Sequence, residues 1–312
     1  MNGKRLGLAV AGLAGGLAAG DRLLRDAAGE LEPALDAPER TYHWRGLDIA
    51  YAELGDPADP TLVCLHGINA AGSSGEFRHV VDALAESRHV VVPDLPGFGR
   101  SDRPPLRYSA ALYEDFVADF LARYDAPAVL ASSLSGAYVA RAADDRRVSL
   151  DSLALVCPTT VGGPDPPKAW LRELLRAPVV GAACFDALVS KPSIRYFNAD
   201  HAYADPDAVD PAWTDYQWRT THQPNARYAV ASFVAGYCNS DIDLEAALRG
   251  LDIPITVLWG RDATLPPLST GRDLAEAADA RLVVFDRAKL LPHVEHPDAF
   301  VAEVRDAIGS GA

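Results

Sequence analysis

The chain has 312 residues, of which 49% are apolar, and a formal net charge of −14 at pH 7. This length suits one large α/β domain with an insertion, or two small domains. The negative charge argues against nucleic-acid binding, because a basic patch that follows a phosphate backbone cannot easily be assembled. The charged residues are 31 Asp and 12 Glu against 25 Arg and 4 Lys. This composition favours a protein from a high-salt cytoplasm, and an acidic surface encoded by a GC-rich genome is the alternative.

The N-terminus carries an apolar segment. Lys4 and Arg5 precede residues 6–20, which hold five glycines and no charge. The segment is shorter than the ~20 residues that span a bilayer, and its glycines weaken it as a helix. A basic start followed by an apolar run is also typical of a signal peptide. A short anchor, a signal peptide and a helix docked on the domain all remain open. We expect membrane contact through residues 6–20 of an otherwise cytoplasmic protein, followed by a polar linker over 25–40.

The rest of the chain alternates strands and helices. Residues 42–54 predict an antiparallel hairpin that turns at Arg45-Gly46. Short apolar runs then predict buried strands at 62–65, 89–92, 128–131, 153–157, 255–259 and 282–285. Segments with helical periodicity lie at 77–87, 110–124, 136–143, 269–277 and 298–308. This alternation predicts an α/β fold with a mostly parallel sheet and helices on both faces.

One interval contains no predicted strand. From about residue 162 to 248 the sequence holds aromatic-rich helical segments. An insertion of this kind between two strands predicts a helical cap over the C-terminal edge of the sheet. The expected organisation is an N-terminal segment and linker (1–40), the first half of the core (41–161), the cap (162–248) and the second half of the core (249–312).

A serine-rich turn follows the apolar run that ends at residue 131. Ligands bind beyond the C-terminal ends of strands in open α/β sheets. Ala131-Ser132-Ser133-Leu134-Ser135-Gly136 resembles the G-x-S-x-G nucleophile elbow of the α/β-hydrolase superfamily, with Ser133 at the nucleophile position. Small residues two positions before and after the serine let the backbones approach closely. A loop that merely caps a helix would look much the same.

Further motifs extend the resemblance over about residues 42–308, in the superfamily's order. They are His66-Gly67-Ile68-Asn69, the run from Asp94 to Asp102, Trp259-Gly260, and the run from Pro292 to Pro297. They are similar to the HG oxyanion loop, the D-x-P-G-F-G-x-S loop, and the segments that carry the catalytic acid and base. The resemblance is closest to lid-bearing members that act on esters, epoxides, haloalkanes and similar apolar compounds.

The resemblance implies part of a catalytic triad. It places Ser133 as the nucleophile and the backbone N–H groups of Ile68 and Leu134 as the oxyanion hole. The acid position is occupied by Ala263 and the base position by Leu290. An unactivated serine hydroxyl is a weak nucleophile at neutral pH. The implied enzyme therefore lacks its usual means of proton transfer.

Other residues are candidates for the missing acid and base. Asp262 is one residue early for the acid, and His293 lies in the motif that follows the base position. The less favoured alternatives are Asp165, His201, His222 and His296. His293 and His296 could suggest a metal, but no third ligand is evident. We expect no metal and no cofactor.

Two functions from different classes fit these residues. The first is a serine hydrolase that acts through Ser133, helped by a substitute base, on a small or medium apolar ester-like compound. The second is a non-catalytic protein of the same fold that binds an apolar small molecule or a protein partner. The resemblance implies an apolar ligand in either case. The aromatic residues of the predicted cap either form the core of the cap itself or, for a few of them, line an apolar pocket.

Overall fold

A single eight-stranded sheet forms the centre of the molecule in a computed structural model that describes residues 3–205, 207 and 209–309, with side chains from residue 15 onward. The strands run in the order β1-β2-β4-β3-β5-β6-β7-β8. Their bounds are β1 Glu39–Trp44, β2 Leu47–Leu54, β3 Thr61–Leu65, β4 His89–Pro93, β5 Ala128–Ser132, β6 Leu153–Val156, β7 Ile255–Gly260 and β8 Arg281–Phe285. The predicted hairpin and the six predicted strands are confirmed. The observed ends of the six strands differ from the predicted ends by about one residue, and the first hairpin strand, β1, starts three residues earlier than predicted.

The sheet is mostly parallel. β1 pairs antiparallel with β2, and β2 pairs antiparallel with β4. All the remaining neighbours pair in parallel. The central strands are buried on both faces, which is why their sequences are continuous apolar runs without alternation. This arrangement confirms the predicted α/β-hydrolase fold.

Helices precede, connect and follow the strands of the sheet. Before the last strands they are α1 Gly3–Ala28, α2 Val81–Leu84, α3 Ala110–Leu121, α4 Leu134–Asp144, α5 Ala169–Arg176, α6 Val180–Leu188, α7 Lys191–Phe197, α8 Pro211–Thr221, α9 Arg227–Val234 and α10 Leu244–Arg249. They are followed by α11 Leu268–Ala278, α12 Pro292–Glu295 and α13 Pro297–Gly309. We call α5 to α10, which lie between β6 and β7, the inserted helices.

The prediction of one helix over residues 77–87 is wrong. The structure has a 3-10 turn at Ser74–Phe77 and only one turn of α-helix, α2, at Val81–Leu84. All four residues of the 3-10 turn are buried, including the carboxylic side chain of Glu76. The backbone turns inward at this point, which a continuous amphipathic surface helix could not do.

The N-terminal segment lies against the inserted helices. α1 packs against α6 and α8. In the part of the chain that the structure describes, no helix is both long enough and apolar enough to cross a membrane. α1 extends to Ala28, three residues into the segment predicted as a linker. A docked helix, one of the three alternatives for the N-terminus, agrees with this packing.

The next residues, 29–38, form a segment that we call the strap. Side chains of α8 and of the turn after it hold its backbone. Tyr216 donates to the Glu32 carbonyl at 3.1 Å, and Gln223 donates to the Gly29 carbonyl at 3.0 Å. Leu31 and Leu35 of the strap are buried. The predicted linker is therefore an ordered connection between α1 and the sheet.

The chain order of the strands fixes where a ligand site is expected. From β3 the chain passes to β4 on one side, and then returns to β5 on the other side of β3. This reversal creates a crevice beyond the carboxyl ends of β3 and β5, where open α/β sheets bind their ligands. The loop after β3, which begins at His66, and the turn after β5, which begins at Ser133, both border this crevice.

Candidate active site

Ser133 lies in a strained turn between β5 and α4. Its backbone has φ 55° and ψ −129°, a conformation that a residue with a side chain rarely adopts. Strain of this kind costs about 1–3 kcal/mol and persists only where the surrounding structure enforces it. The Ser133 side chain is partly exposed, whereas Ser132 and Leu134 on either side are buried. The turn therefore presents one serine at the end of a buried strand.

The residues that pack against the Ser133 turn leave little space, so small side chains are needed there. A Cβ added at Gly67 would lie 3.2 Å from Cβ of Ser133, so the loop after β3 touches the turn. A Cβ added at Gly136 would lie 2.9 Å from the side chain of Leu155. Ser135, which stands where the elbow pattern has a glycine, donates its hydroxyl to the His66 carbonyl at 2.6 Å. The serine therefore ties the turn to the neighbouring loop.

The loop expected to form the oxyanion hole begins with a histidine that is fully engaged. His66 is buried, and its Nδ1 lies 2.8 Å from the Gly67 carbonyl, to which it can donate. Its Nε2 accepts from the N–H of Leu95 at 3.0 Å. Because both ring nitrogens have partners, His66 holds two loops together and is not free to act as a base. Ile68, the expected donor in this loop, follows directly.

The second expected donor, Leu134, is the first residue of α4. The N–H groups of the first helical turn have no partner inside the helix, so they can receive a developing negative charge. Phe233 of α9 lies next to this residue, since a Cβ added at Gly162 would meet the side chains of both at 2.7–2.8 Å. An aromatic ring from the inserted helices thus lies near the side chain of Leu134.

Apolar side chains, Ala263 and Leu290, occupy the two positions where the resemblance leads us to expect an acid and a base. Ala263 is buried and belongs to the main apolar core, and Leu290 is half-buried and packs against the same core. The two loops that carry them are in direct contact. The N–H of Asp262 donates to the Ala288 carbonyl at 2.9 Å. A Cβ added at Gly260 would lie 2.0 Å from the Lys289 carbonyl oxygen.

The tentative substitutes do not reach the serine. Asp262 is exposed to solvent. His293 is completely buried, with its ring centroid 5.5 Å from that of Phe77 and 5.4 Å from that of Phe300. Across residues 15–205, 207 and 209–309 we find no histidine or carboxylate hydrogen-bonded to the Ser133 hydroxyl. The structure thus does not bring either tentative substitute into a hydrogen bond with the candidate nucleophile.

The weaker alternatives have other partners or lie on the surface. Nδ1 of His222 lies 2.8 Å from the Trp218 carbonyl, and its ring packs on the Trp218 ring. His201 faces Asp200 at 3.4 Å. His296 Nε2 lies 3.3 Å from the Arg287 carbonyl, and Asp165 is exposed. In the described part of the chain, no group of three or more His, Cys, Asp or Glu side chains could hold a metal ion.

Sequence reasoning missed a buried carboxylic acid at this site. Glu76 is 7% exposed, and its Oε2 accepts from the N–H of Gly67 at 2.9 Å. It also accepts from the Ser132 hydroxyl, and its Oε1 lies 3.7 Å from Nε2 of His293. Burial raises the pKa of Glu76. The only sequence signal for this role was the position of Glu76, a charged residue directly before Phe77 and ten residues after His66.

The comparisons with known proteins agree with this fold. The alpha/beta hydrolase family matches residues 62–303, and the chain belongs to that family. The chain is 25% identical to a 2-hydroxy-6-oxo-6-phenylhexa-2,4-dienoate hydrolase of Burkholderia cepacia, over 90% of this chain and 99% of that protein. Its fold is similar to that of an alpha/beta hydrolase fold protein of Burkholderia ambifaria, with a TM-score of 0.69 and 26% identity over 86% of this chain and 97% of the other. A membrane phospholipase A matches with a TM-score of 0.67 and 23% identity over 99% and 97% of the two chains.

Proposed function

We propose that this protein is a serine hydrolase that acts through Ser133 on a small or medium apolar ester-like compound, and that it turns over slowly. The observation that carries the proposal is the backbone of Ser133, at φ 55° and ψ −129°. A loop that only caps a helix needs no positive φ at its serine. Strain at a partly exposed nucleophile is instead typical of functional sites. Named relatives of the chain are hydrolases, which supports the same reaction class.

The residues present support the first half of acyl transfer. The Ser133 oxygen forms a bond to the carbonyl carbon of the ester, the alkoxide leaves, and the serine proton passes to solvent. The N–H groups of Ile68 and Leu134 stabilise the oxyanion, and each such donor commonly contributes ~3 kcal/mol. With no base at position 290, only oxyanion stabilisation and binding remain, a rate of roughly 10³–10⁴-fold over water. Slow acylation is the expected result.

The inserted helices are proposed as a lid over this site. Phe233 from α9 lies beside Leu134, and a Cβ added at Gly97 would meet Ala229 of the same helix at 2.8 Å. The inserted helices thus contact loops at the carboxyl ends of β4 and β5. An aromatic ring close to the side chain of Leu134 favours an apolar acyl group on the substrate.

Covalent labelling tests the hydrolase proposal. A fluorophosphonate probe at high salt should label the wild-type protein and leave Ser133→Ala unlabelled, and wild-type protein should cleave short-chain aryl esters slowly. Ser87→Ala is a matched control, because it removes the hydroxyl of an exposed serine and keeps the proposed nucleophile and the hydrogen bonds of its turn. Equal labelling of wild type and Ser133→Ala, or none in either together with no ester cleavage, rules out the hydrolase.

The alternative function is non-catalytic binding of an apolar ligand or a protein partner. It is favoured by the apolar side chains of Ala263 and Leu290, which pack in the core where an acid and a base are expected. Under this alternative the fluorophosphonate does not react, while an apolar fluorescent probe is displaced by the ligand. The labelling experiment therefore separates the two functions.

Membrane contact through residues 6–20 is a further part of the proposal. Lys4 and Arg5 precede this uncharged apolar segment, and such a helix can lie in a lipid interface without crossing it. Sedimentation with liposomes should carry the full chain and release a variant with Leu8→Glu and Leu13→Glu. Equal sedimentation of the two proteins contradicts the membrane contact and leaves the hydrolase proposal unaffected.

A further inference from the structure

Glu76 is the point at which three loops of the proposed site meet. Its Oε2 accepts from the N–H of Gly67 at 2.9 Å, and it also accepts from the Ser132 hydroxyl. Gly67 directly precedes Ile68, and Ser132 directly precedes Ser133. The third neighbour, His293, lies three residues after the vacated base position. One carboxyl group therefore lies against the oxyanion loop, the nucleophile turn and helix α12.

The side of Glu76 that faces His293 is unsatisfied. Within the described residues, Oε1 of Glu76 has no hydrogen-bond partner, and the His293 ring has only the backbone carbonyl of Glu76 as a weak neighbour beyond ordinary hydrogen-bond geometry. Both side chains are buried, and Oε1 lies 3.7 Å from Nε2. Buried polar atoms without partners are rare and destabilising. If Oε1 of Glu76 carries a proton, it becomes a hydrogen-bond donor, and Nε2 of His293 opposite it is the acceptor.

The surroundings favour the neutral form of both groups. Burial raises the pKa of Glu76. Burial, together with the nearby Arg78 and His79, lowers the pKa of His293 to about 3. The titratable or charged groups that face Glu76 are His66, Arg78, Cys157, Tyr203 and His293. A negative charge on Glu76 would also oppose the oxyanion that forms at the neighbouring N–H groups.

We propose that Glu76 is a positioning residue of the hydrolase site that acts in its protonated form. It presents a proton on Oε1 to Nε2 of His293, which lies 3.7 Å away, and it holds Gly67 against the nucleophile turn through Oε2. Ionisation of Glu76 places a charge beside the oxyanion hole and removes the proton that faces His293. This inference rests on the proposed role of Ser133.

The pH dependence of labelling tests the inference. The rate at which a fluorophosphonate labels Ser133 should fall by about tenfold or more as Glu76 ionises with rising pH, because a nearby charge is weakly screened in the interior. Glu76→Gln, whose amide can make the same hydrogen bonds, should still label and should lose this fall. Glu76→Ala should label more slowly at every pH. Glu86→Gln, at an exposed carboxylate, is the matched control and should keep the wild-type profile.

The stability profile gives a second readout that does not depend on Ser133. An acid whose pKa is raised in the folded protein stabilises it fully below the unfolded pKa of roughly 4.3, and this contribution is lost as the pH rises through the folded pKa. The Tm of wild type should therefore fall relative to that of Glu76→Gln as the pH rises through this window.

The outcomes separate the two proposals. Identical pH profiles of labelling and of Tm in wild type and Glu76→Gln overturn the role of Glu76. A difference in Tm without any labelling of Ser133 supports the shared proton and overturns the proposed hydrolase function. A labelling rate that loses its pH dependence only in Glu76→Gln supports both.

Discussion

Restoring the missing acid and base should convert this protein into a faster esterase. The change is Ala263→Asp together with Leu290→His. The two loops are already held together by the hydrogen bond from the Asp262 N–H to the Ala288 carbonyl. Leu290 is half-buried, so a histidine of similar size can replace it at a loss of about 1–2 kcal/mol of apolar burial. A correctly placed base contributes about 10²–10⁴-fold to the rate.

The two substitutions should not act additively. Ala263 is 6% exposed, so an aspartate placed there without a partner costs several kcal/mol in desolvation and should lower the stability. A histidine at position 290 gives that carboxylate a hydrogen-bond donor. We therefore expect Leu290→His alone to raise the rate by about 10²-fold, Ala263→Asp alone to give no gain, and the pair to give about 10³-fold or more.

The assay is cleavage of p-nitrophenyl butyrate at high salt, with circular dichroism to establish that each variant is folded. The triple variant that also carries Ser133→Ala serves as the control and should return to the background rate. A folded double variant that is no faster than wild type refutes the reasoning. That result would mean that the loops after β7 and β8 do not place the new side chains at positions 263 and 290 within hydrogen-bond reach of each other and of Ser133.

Three smaller predictions concern two other contacts and the net charge. Ser135→Ala should lower the free energy of unfolding in urea by about 1–3 kcal/mol, because the buried His66 carbonyl loses its 2.6 Å donor; an unchanged urea midpoint contradicts this. Gly67→Ala should slow fluorophosphonate labelling by roughly tenfold, because the new Cβ meets that of Ser133 at 3.2 Å and displaces the loop. The Tm should rise between about 0.1 M and about 3 M KCl, since salt screens repulsion among the carboxylates of a chain with a net charge of −14; a falling Tm contradicts adaptation to high salt.

The sheet could be predicted from the sequence because its strands are buried on both faces. Runs such as Leu62–Leu65 within β3 are continuous and β-branched or aliphatic, and each ends at a loop with its own motif. The position of Ser133 followed from that order, since the turn comes directly after β5. Strands and turns of this kind can be predicted from the sequence because each depends mainly on residues that are adjacent in the chain.

The contacts of Glu76 could not be predicted in the same way. Its partners Gly67, Ser132 and His293 lie 9, 56 and 217 residues away along the chain, and no local pattern connects them. The helix predicted over residues 77–87 failed for the same reason. The backbone of Ser74–Phe77 turns inward to bring one carboxyl group beneath the oxyanion loop, and the free energy for this comes from distant partners.

The strap has a practical consequence for anyone who shortens the chain. Tyr216 and Gln223 donate to carbonyls of Glu32 and Gly29, and Leu31 and Leu35 are buried against the rest of the molecule. A protein that begins at residue 41 would expose the apolar surface under both leucines and leave those donors to water. Residues 29–38 should be retained in any recombinant form intended for crystallisation or kinetics, even when the apolar residues 6–20 are removed.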